Sequence, residues 1–343
     1  MPSLREQLRE LDALEALLPH LPGARVEVLA QVRCGVERFP IHAICLGPED
    51  RQLPALLFVG GVHGLERVGT QVLLSYLRTL ESALGWDTVW KHTLGQMRLL
   101  LIPLLNPAGM ALGLRSNARG VDLMRNAPVE AEQRSRWFEL HRGQCFTPLL
   151  PWYRGSGLME VEAQALHDFV RAELFESVCA ISVDVHSGLL EGDRLWFPYA
   201  RSRRPFPHAA EMLALSRLLS ATHEHHVYTI EPQSLHYTTH GDLWDHVYDE
   251  HLAAPGRGLL LPLTLELGSR VWYRKNPRQL LSRLGLFHPM QPHRLARVQR
   301  RHKTLFDFLV HAVCSSSAWL PRGGSVRATL QREAVMRWYS GAR

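Results

Sequence analysis

Four side chains able to bind a metal or move a proton stand at the ends of apolar runs in this 343-residue chain. His63-Gly-Leu-Glu66 directly follows the run 54–62. Positions i and i+3 on a helical turn lie roughly 5–6 Å apart at Cβ, so one metal ion reaches both. His186 closes the run 177–185 within Asp-Val-His-Ser-Gly, and Glu266 closes 259–265 within Leu-Thr-Leu-Glu-Leu-Gly. Taken singly, each reads equally well as a hydrogen-bonded polar cap on a strand. Together they supply two imidazoles and a carboxylate for one zinc ion per chain, with a second carboxylate to spare. A His₂Glu set leaves the fourth zinc position open to water, the arrangement of catalytic rather than structural sites. Glu266 then takes a proton from that water and returns it to a leaving amine.

The elements that must position these residues are buried strands alternating with helices. PALLFVGGVHG (54–64), MRLLLIPLLNP (97–107), SVCAISVDVHSG (177–188) and LLLPLTLELGS (259–269) are near-continuous apolar runs, as parallel strands covered on both faces require. RVEVLAQV (25–32) and FPIHAICLG (39–47) read as two further strands joined by a short connection. Helical spacing marks residues 3–19, 67–84, 158–174 and most of 276–314. The fold class is therefore α/β, a mixed and largely parallel twisted central sheet flanked by helices on both faces. Ligands of such sheets bind beyond the carboxyl ends of the strands, where these four residues stand. No linker divides the chain, so residues 1–316 read as one catalytic domain. It has an N-terminal helical part in 1–24 and a C-terminal one in 276–316, and the Gly/Arg-rich tail 317–343 is expected to be loosely held.

Composition bounds the partners. Hydrophobic residues at 46% and charged residues at 21% are globular values, which exclude disorder, collagen and coiled coil for the bulk of the chain. The net charge is +6, but only three of the 39 basic residues are lysine and no basic run is interleaved with aromatics. No nucleic-acid partner is expected. The longest uncharged apolar stretch, 99–114, is too short and too broken by Asn106 and two prolines to span a bilayer. Neither a membrane association nor a secretory signal is expected. Five cysteines at irregular spacing argue against a disulfide framework and for a reducing, cytoplasmic setting. The cluster His223-Glu-His225-His226 reads as a solvated helix end or loop.

Between the metal-capable segments lies NPAGMALGLRSNARGVDLMRN (106–126), and here the pattern becomes specific. HxxE, Asn-Pro-x-Gly, an arginine, Gly-Val-Asp-Leu-x-Arg-Asn, a strand-end His-Ser, a tyrosine and a strand-end Glu follow one another in an order that resembles the zinc metallocarboxypeptidase family. The likeness runs from about residue 54 to 270. It implies a mixed α/β fold around an eight-stranded twisted sheet and a peptidase activity. It also implies roles: His63, Glu66 and His186 as zinc ligands, and Asp122 as the carboxylate that hydrogen-bonds the first ligand histidine. By the same resemblance Arg115 polarises the scissile carbonyl, Arg125 binds the substrate's terminal carboxylate, Tyr237 caps the substrate, and Glu266 is the general acid/base.

The family's Asp-x-Asn-Arg-Asn reads Asp122-Leu-Met124-Arg125-Asn126 here, and Met124 cannot donate the hydrogen bond of the replaced asparagine. Trp244 and Asp242 both stand where the base of the specificity pocket is expected, the first restricting it and the second favouring a basic side chain. The expected function is zinc-dependent hydrolysis of an amide or peptide bond beside a carboxylate-bearing residue, on a small peptide or N-acyl amino acid. An N-acyl amino acid deacylase resembling the succinylglutamate desuccinylase and aspartoacylase group is one alternative, although its β-rich C-terminal part conflicts with the helical reading of 276–314. A non-catalytic binding protein on the same scaffold is the other.

Overall fold

The four apolar runs become the four central strands of one eight-stranded sheet. A computed structural model describes residues 3–132, 152–254, 256, 258–282 and 284–341. The strands are β1 (Arg25–Cys34), β2 (Glu37–Leu46), β3 (Ala55–Gly60), β4 (Arg98–Ile102), β5 (Cys179–Gly188), β6 (Arg194–Phe197), β7 (Thr229–Pro232) and β8 (Leu259–Gly268). Their order is β1-β2-β4-β3-β5-β8-β6-β7. The β4-β3-β5-β8 centre is parallel throughout. β1 and β2 form an antiparallel hairpin on one side, and β6 runs antiparallel to β8 on the other. Every residue of β3 and β4 is buried, which requires cover on both faces of the sheet.

That cover is helical. The helices are α1 (Arg9–Leu17), α2 (Arg67–Trp86), α3 (Thr88–Leu94), α4 (Pro107–Ala111), α5 (Val161–Leu174), α6 (Ala209–Thr222), α7 (Leu243–Ala253), α8 (Arg270–Lys275), α9 (Pro292–Cys314), α10 (Ser316–Trp319) and α11 (Gly324–Trp338). On α2 the residues Val68, Val72, Leu73, Leu77, Leu80 and Leu84 recur at helical spacing and are buried. They pack with α9, which presents Leu305, Phe306, Leu309 and Val313. α5 and α7 lie against each other, and α5 also meets β1 while α7 meets β8.

The tail 317–343 departs from the sequence reading. Residues 324–338 form α11, which packs on α6. Arg327 Nε donates to Glu211 Oε1 at 2.6 Å, and Trp338 Nε1 donates to the Ile230 carbonyl at 3.0 Å. The Tyr339 hydroxyl accepts the Phe206 amide at 3.1 Å. Only Ala334 and Trp338 of α11 are buried, so polar and indole anchors hold it rather than an apolar stripe. Within 276–291 the described residues hold two short 3₁₀ turns, Pro277–Leu281 and Leu284–Leu286, and the long helix begins only at Pro292. Cys34, Cys45, Cys179 and Cys314 are unpaired thiols. No helix among the described residues is long and apolar enough to cross a membrane.

Candidate active site

β3, β5 and β8 deliver their polar residues to one end of the sheet. His63 follows β3 by three residues, and Glu66 immediately precedes α2. Two glycines set their position through close backbone approach. A Cβ on Gly64 would lie 2.2 Å from Gly109 of the Asn-Pro-x-Gly turn, and one on Gly69 would lie 2.4 Å from the Val185 carbonyl. The first turn of α2 is thereby pressed onto the end of β5, beside His186. Asn106 ties the same region together. Its side chain accepts the Gly109 amide at 2.9 Å, capping α4, and donates to Val62 and Ser116 carbonyls at 3.0 and 3.1 Å. The chain bearing Arg115 is thus fastened to the chain bearing His63.

The three expected ligands converge. His63 Nδ1 lies 3.0 Å from Glu66 Oε1 and 3.2 Å from His186 Nδ1, and His186 Nδ1 lies 3.0 Å from Glu66 Oε2. Donors held 2.0–2.2 Å from a tetrahedral zinc are roughly 3.3–3.6 Å apart, so the triangle needs to open by only a few tenths of an ångström. All three residues are buried. The far nitrogen of each ring faces another carboxylate, with His63 Nε2 3.0 Å from Asp122 Oδ1 and His186 Nε2 2.9 Å from Asp184 Oδ2. With a proton on each Nε2, both Nδ1 lone pairs and the Glu66 carboxylate aim at one point. Asp122 hydrogen-bonds its ring, whereas Asp184 stands at ion-pair distance from His186 without hydrogen-bond geometry. Arg115 supplies one positive charge against the three carboxylates, with its Nε donating to Asp122 at 3.0 Å and NH1 to Glu66 at 3.2 Å. With neutral imidazoles two negative charges remain, the balance a divalent cation supplies. The donor set therefore fits zinc.

The electrostatics agree. Burial opposes the charged forms of Glu66 and Asp122, yet His63 and His186 around the first, and Arg115 and His63 around the second, hold both below the usual carboxylate range. Burial would lower His186, but Asp184 and Glu66 raise it well above the ordinary imidazole value. The same negative surroundings favour any cation placed there. Glu266 faces the opposite influence. Burial, reinforced by Glu66, pushes its carboxyl up to about 7 despite His186 and Arg115.

Glu266 is the register partner of His186 across β5 and β8. Its Oε2 is buried without a hydrogen bond. It lines a cavity of about 650 Å³ together with Arg115, Tyr237 and Asp122. Leu65, Leu189, Trp196 and Phe287 are among the apolar residues of the wall. Tyr237 meets the Trp196 ring edge-on at 6.5 Å. Ser187 fixes two sides of the site, its amide donating to Glu66 Oε2 at 2.9 Å and its hydroxyl to the Phe287 carbonyl at 2.7 Å.

Arg125 is placed differently from its motif neighbours. It is buried, outside the cavity lining, with NH1 donating to the Met124 carbonyl at 3.0 Å and Asp242 Oδ2 4.0 Å away. Its Nε has no hydrogen-bond partner. Neither candidate for the specificity-pocket base lines the cavity. Asp242 caps α7, accepting the Asp245 amide at 3.0 Å, and Trp244 is core. The Trp244 indole instead donates to Asp184 Oδ2 at 2.9 Å, behind His186. Sequence reasoning missed Asp184 in this position, although i and i+2 on a strand share a face and so place it beside His186. The histidines 223, 225 and 226 follow the end of α6, half-buried or exposed, as expected.

The chain belongs to the zinc carboxypeptidase family, whose pattern matches residues 33–276. Carboxypeptidase SOL1 of Arabidopsis thaliana is 22% identical over 263 residues, covering 73% of this chain and 47% of that protein. The chain thus spans about half the length of this curated relative. Among solved structures, bovine thrombin-activatable fibrinolysis inhibitor in complex with tick carboxypeptidase inhibitor has a TM-score of 0.65 at 19% identity, over 92% of this chain and 98% of that one. Carboxypeptidase A from Helicoverpa armigera has a TM-score of 0.62 at 16% identity, over 89% and 72%. These two likenesses show that the fold is shared.

Proposed function

We propose that this chain is a zinc-dependent hydrolase that cleaves an amide or peptide bond beside a carboxylate-bearing residue. The observation that carries the reading is the His63–Glu66–His186 triangle, with edges of 3.0–3.2 Å, bonded through Asp122 and Ser187 to the wall of the cavity that Glu266 also lines. Those three residues would hold the zinc, one ion at this site. When bound, zinc supplies a Lewis-acid charge that polarises the substrate carbonyl and lowers the pKa of water. Glu266 accepts the proton of the attacking water and passes it to the departing amine. Arg115 presents its guanidinium to the cavity and stabilises charge on the carbonyl oxygen. Asp122 and Asp184 hold the two imidazoles with their Nδ1 atoms turned inward. Tyr237 and the apolar wall cover the substrate and exclude water.

Arg125 is proposed as the anchor for the substrate carboxylate, drawing on its unpaired Nε. Asp242, 4.0 Å away, already offsets part of its charge, and Met124 adds no donor. The expected contribution is that of one charge-assisted hydrogen bond, roughly 1.5–3 kcal/mol. Arg125→Ala should therefore lower kcat/KM by about 10- to 150-fold at ~1.4 kcal/mol per decade. Paired substrates with free and amidated C-termini provide the measurement. A loss confined to the free acid supports the anchor, whereas equal losses on both make Arg125 structural and remove the carboxylate requirement from the reading.

A further inference from the structure

Away from the cavity, α5 and α7 lie side by side and bring a second set of metal-capable side chains together. His167 stands on α5, and His246 and Glu250 stand one turn apart on α7. One donor atom from each lies within 4.8 Å of the other two. His167 Nε2 is 2.7 Å from Glu250 Oε2, and His246 Nε2 is 3.7 Å from Glu250 Oε1. The two imidazoles are stacked, with centroids 5.3 Å apart and planes at 18°, so the half-buried His246 ring turns out of the stack for both in-plane lone pairs to meet one ion. Donors around a tetrahedral zinc are roughly 3.3–3.6 Å apart, a spacing bracketed by these two separations.

The outer partners match as well. Asp168 Oδ1 lies 3.0 Å from His167 Nδ1 and is itself held by Gln164 Nε2 at 2.8 Å. A carboxylate there keeps the proton on Nδ1 and turns the Nε2 lone pair toward Glu250, the arrangement by which metal-binding histidines are oriented. His167 is buried, whereas His246 and Glu250 are half-buried and open a path from solvent.

We propose that His167, His246 and Glu250 bind a second divalent metal of borderline softness, zinc first among them, as a clasp between α5 and α7. Two imidazoles and one carboxylate suit such an ion better than magnesium or calcium. The clasp is independent of the hydrolase reading. Its role is structural: it ties α7 to α5, away from the cavity. Metal binding to the folded chain alone raises its stability by mass action.

The test is a calorimetric zinc titration of the metal-stripped full chain, repeated on variants. The wild type should take up two equivalents, one for each of the two clusters. His167→Gln, His246→Gln and Glu250→Gln should each take up one, with turnover at saturating zinc unchanged and the zinc-induced rise in Tm reduced. His186→Ala should lose the other equivalent, which separates failure of the clasp from failure of the hydrolase site. If the buried His167→Gln does not fold, the half-exposed His246 and Glu250 variants carry the test. A variant with His223, His225 and His226 all changed to Gln should keep both equivalents. A wild type that binds one equivalent overturns the clasp. So do α7 variants that keep two, or a loss in the triple-histidine variant.

Discussion

Glu266→Gln should keep its zinc and lose turnover by about 10²–10⁴, the range for removing a general acid/base. The substitution preserves shape but cannot accept a proton. Glu266 is outside the donor triangle, so metal content should stay level while kcat falls. Its environment also sets a pH limb. Before any metal charge is added, burial holds this carboxyl at about 7, and a bound dication pulls it lower. The working form is the carboxylate, so kcat/KM should decline as pH falls through an apparent pKa below about 7. Near-normal turnover in Glu266→Gln would assign water activation to another group.

His186→Ala should abolish zinc binding at the cavity site and activity with it. The variant removes one of three donors and leaves Glu66, Asp122 and Asp184 with less to balance their charge. Asp184→Asn should be milder. It keeps the ring but weakens the contact at Nε2, and loss of such an outer partner costs metal affinity about 10- to 100-fold. Zinc per chain should be measured in a His246→Gln background, so that the α5–α7 pair adds nothing. The expected order of affinity is parent, then Asp184→Asn, then His186→Ala. Full zinc retention in His186→Ala would sink the ligand assignment, and an unchanged Asp184→Asn would make Asp184 a core polar group only.

The central sheet and the metal triangle were legible because both leave strong local marks. Strands buried on both faces read as unbroken apolar runs, and a polar residue that ends such a run has few places to go but the carboxyl end of the sheet. β6 and β7 leave no such mark, being four residues each and the last two strands on the β8 side of the sheet. α11 was misread because its anchors, Arg327, Trp338 and Tyr339, reach partners more than 100 positions away and give no periodic apolar stripe. Asp184 was readable from strand alternation alone, but its Trp244 partner lies 60 positions on and depends on how α7 packs. Arg125 shows the reverse case. Its motif resembled the family pattern except at the adjacent Met124, while Asp242, brought beside it by the fold, decides how much of its charge remains to offer.

The most direct measurement is hydrolysis of peptides with free and amidated C-termini and of N-acyl amino acids, by the same preparation before chelation, after chelation and after zinc is restored. The account predicts cleavage of an amide bond next to a free carboxylate, lost with the metal and regained with zinc. Cleavage that survives complete metal removal would contradict it, as would a zinc-loaded chain that leaves every carboxylate-bearing amide in the panel intact.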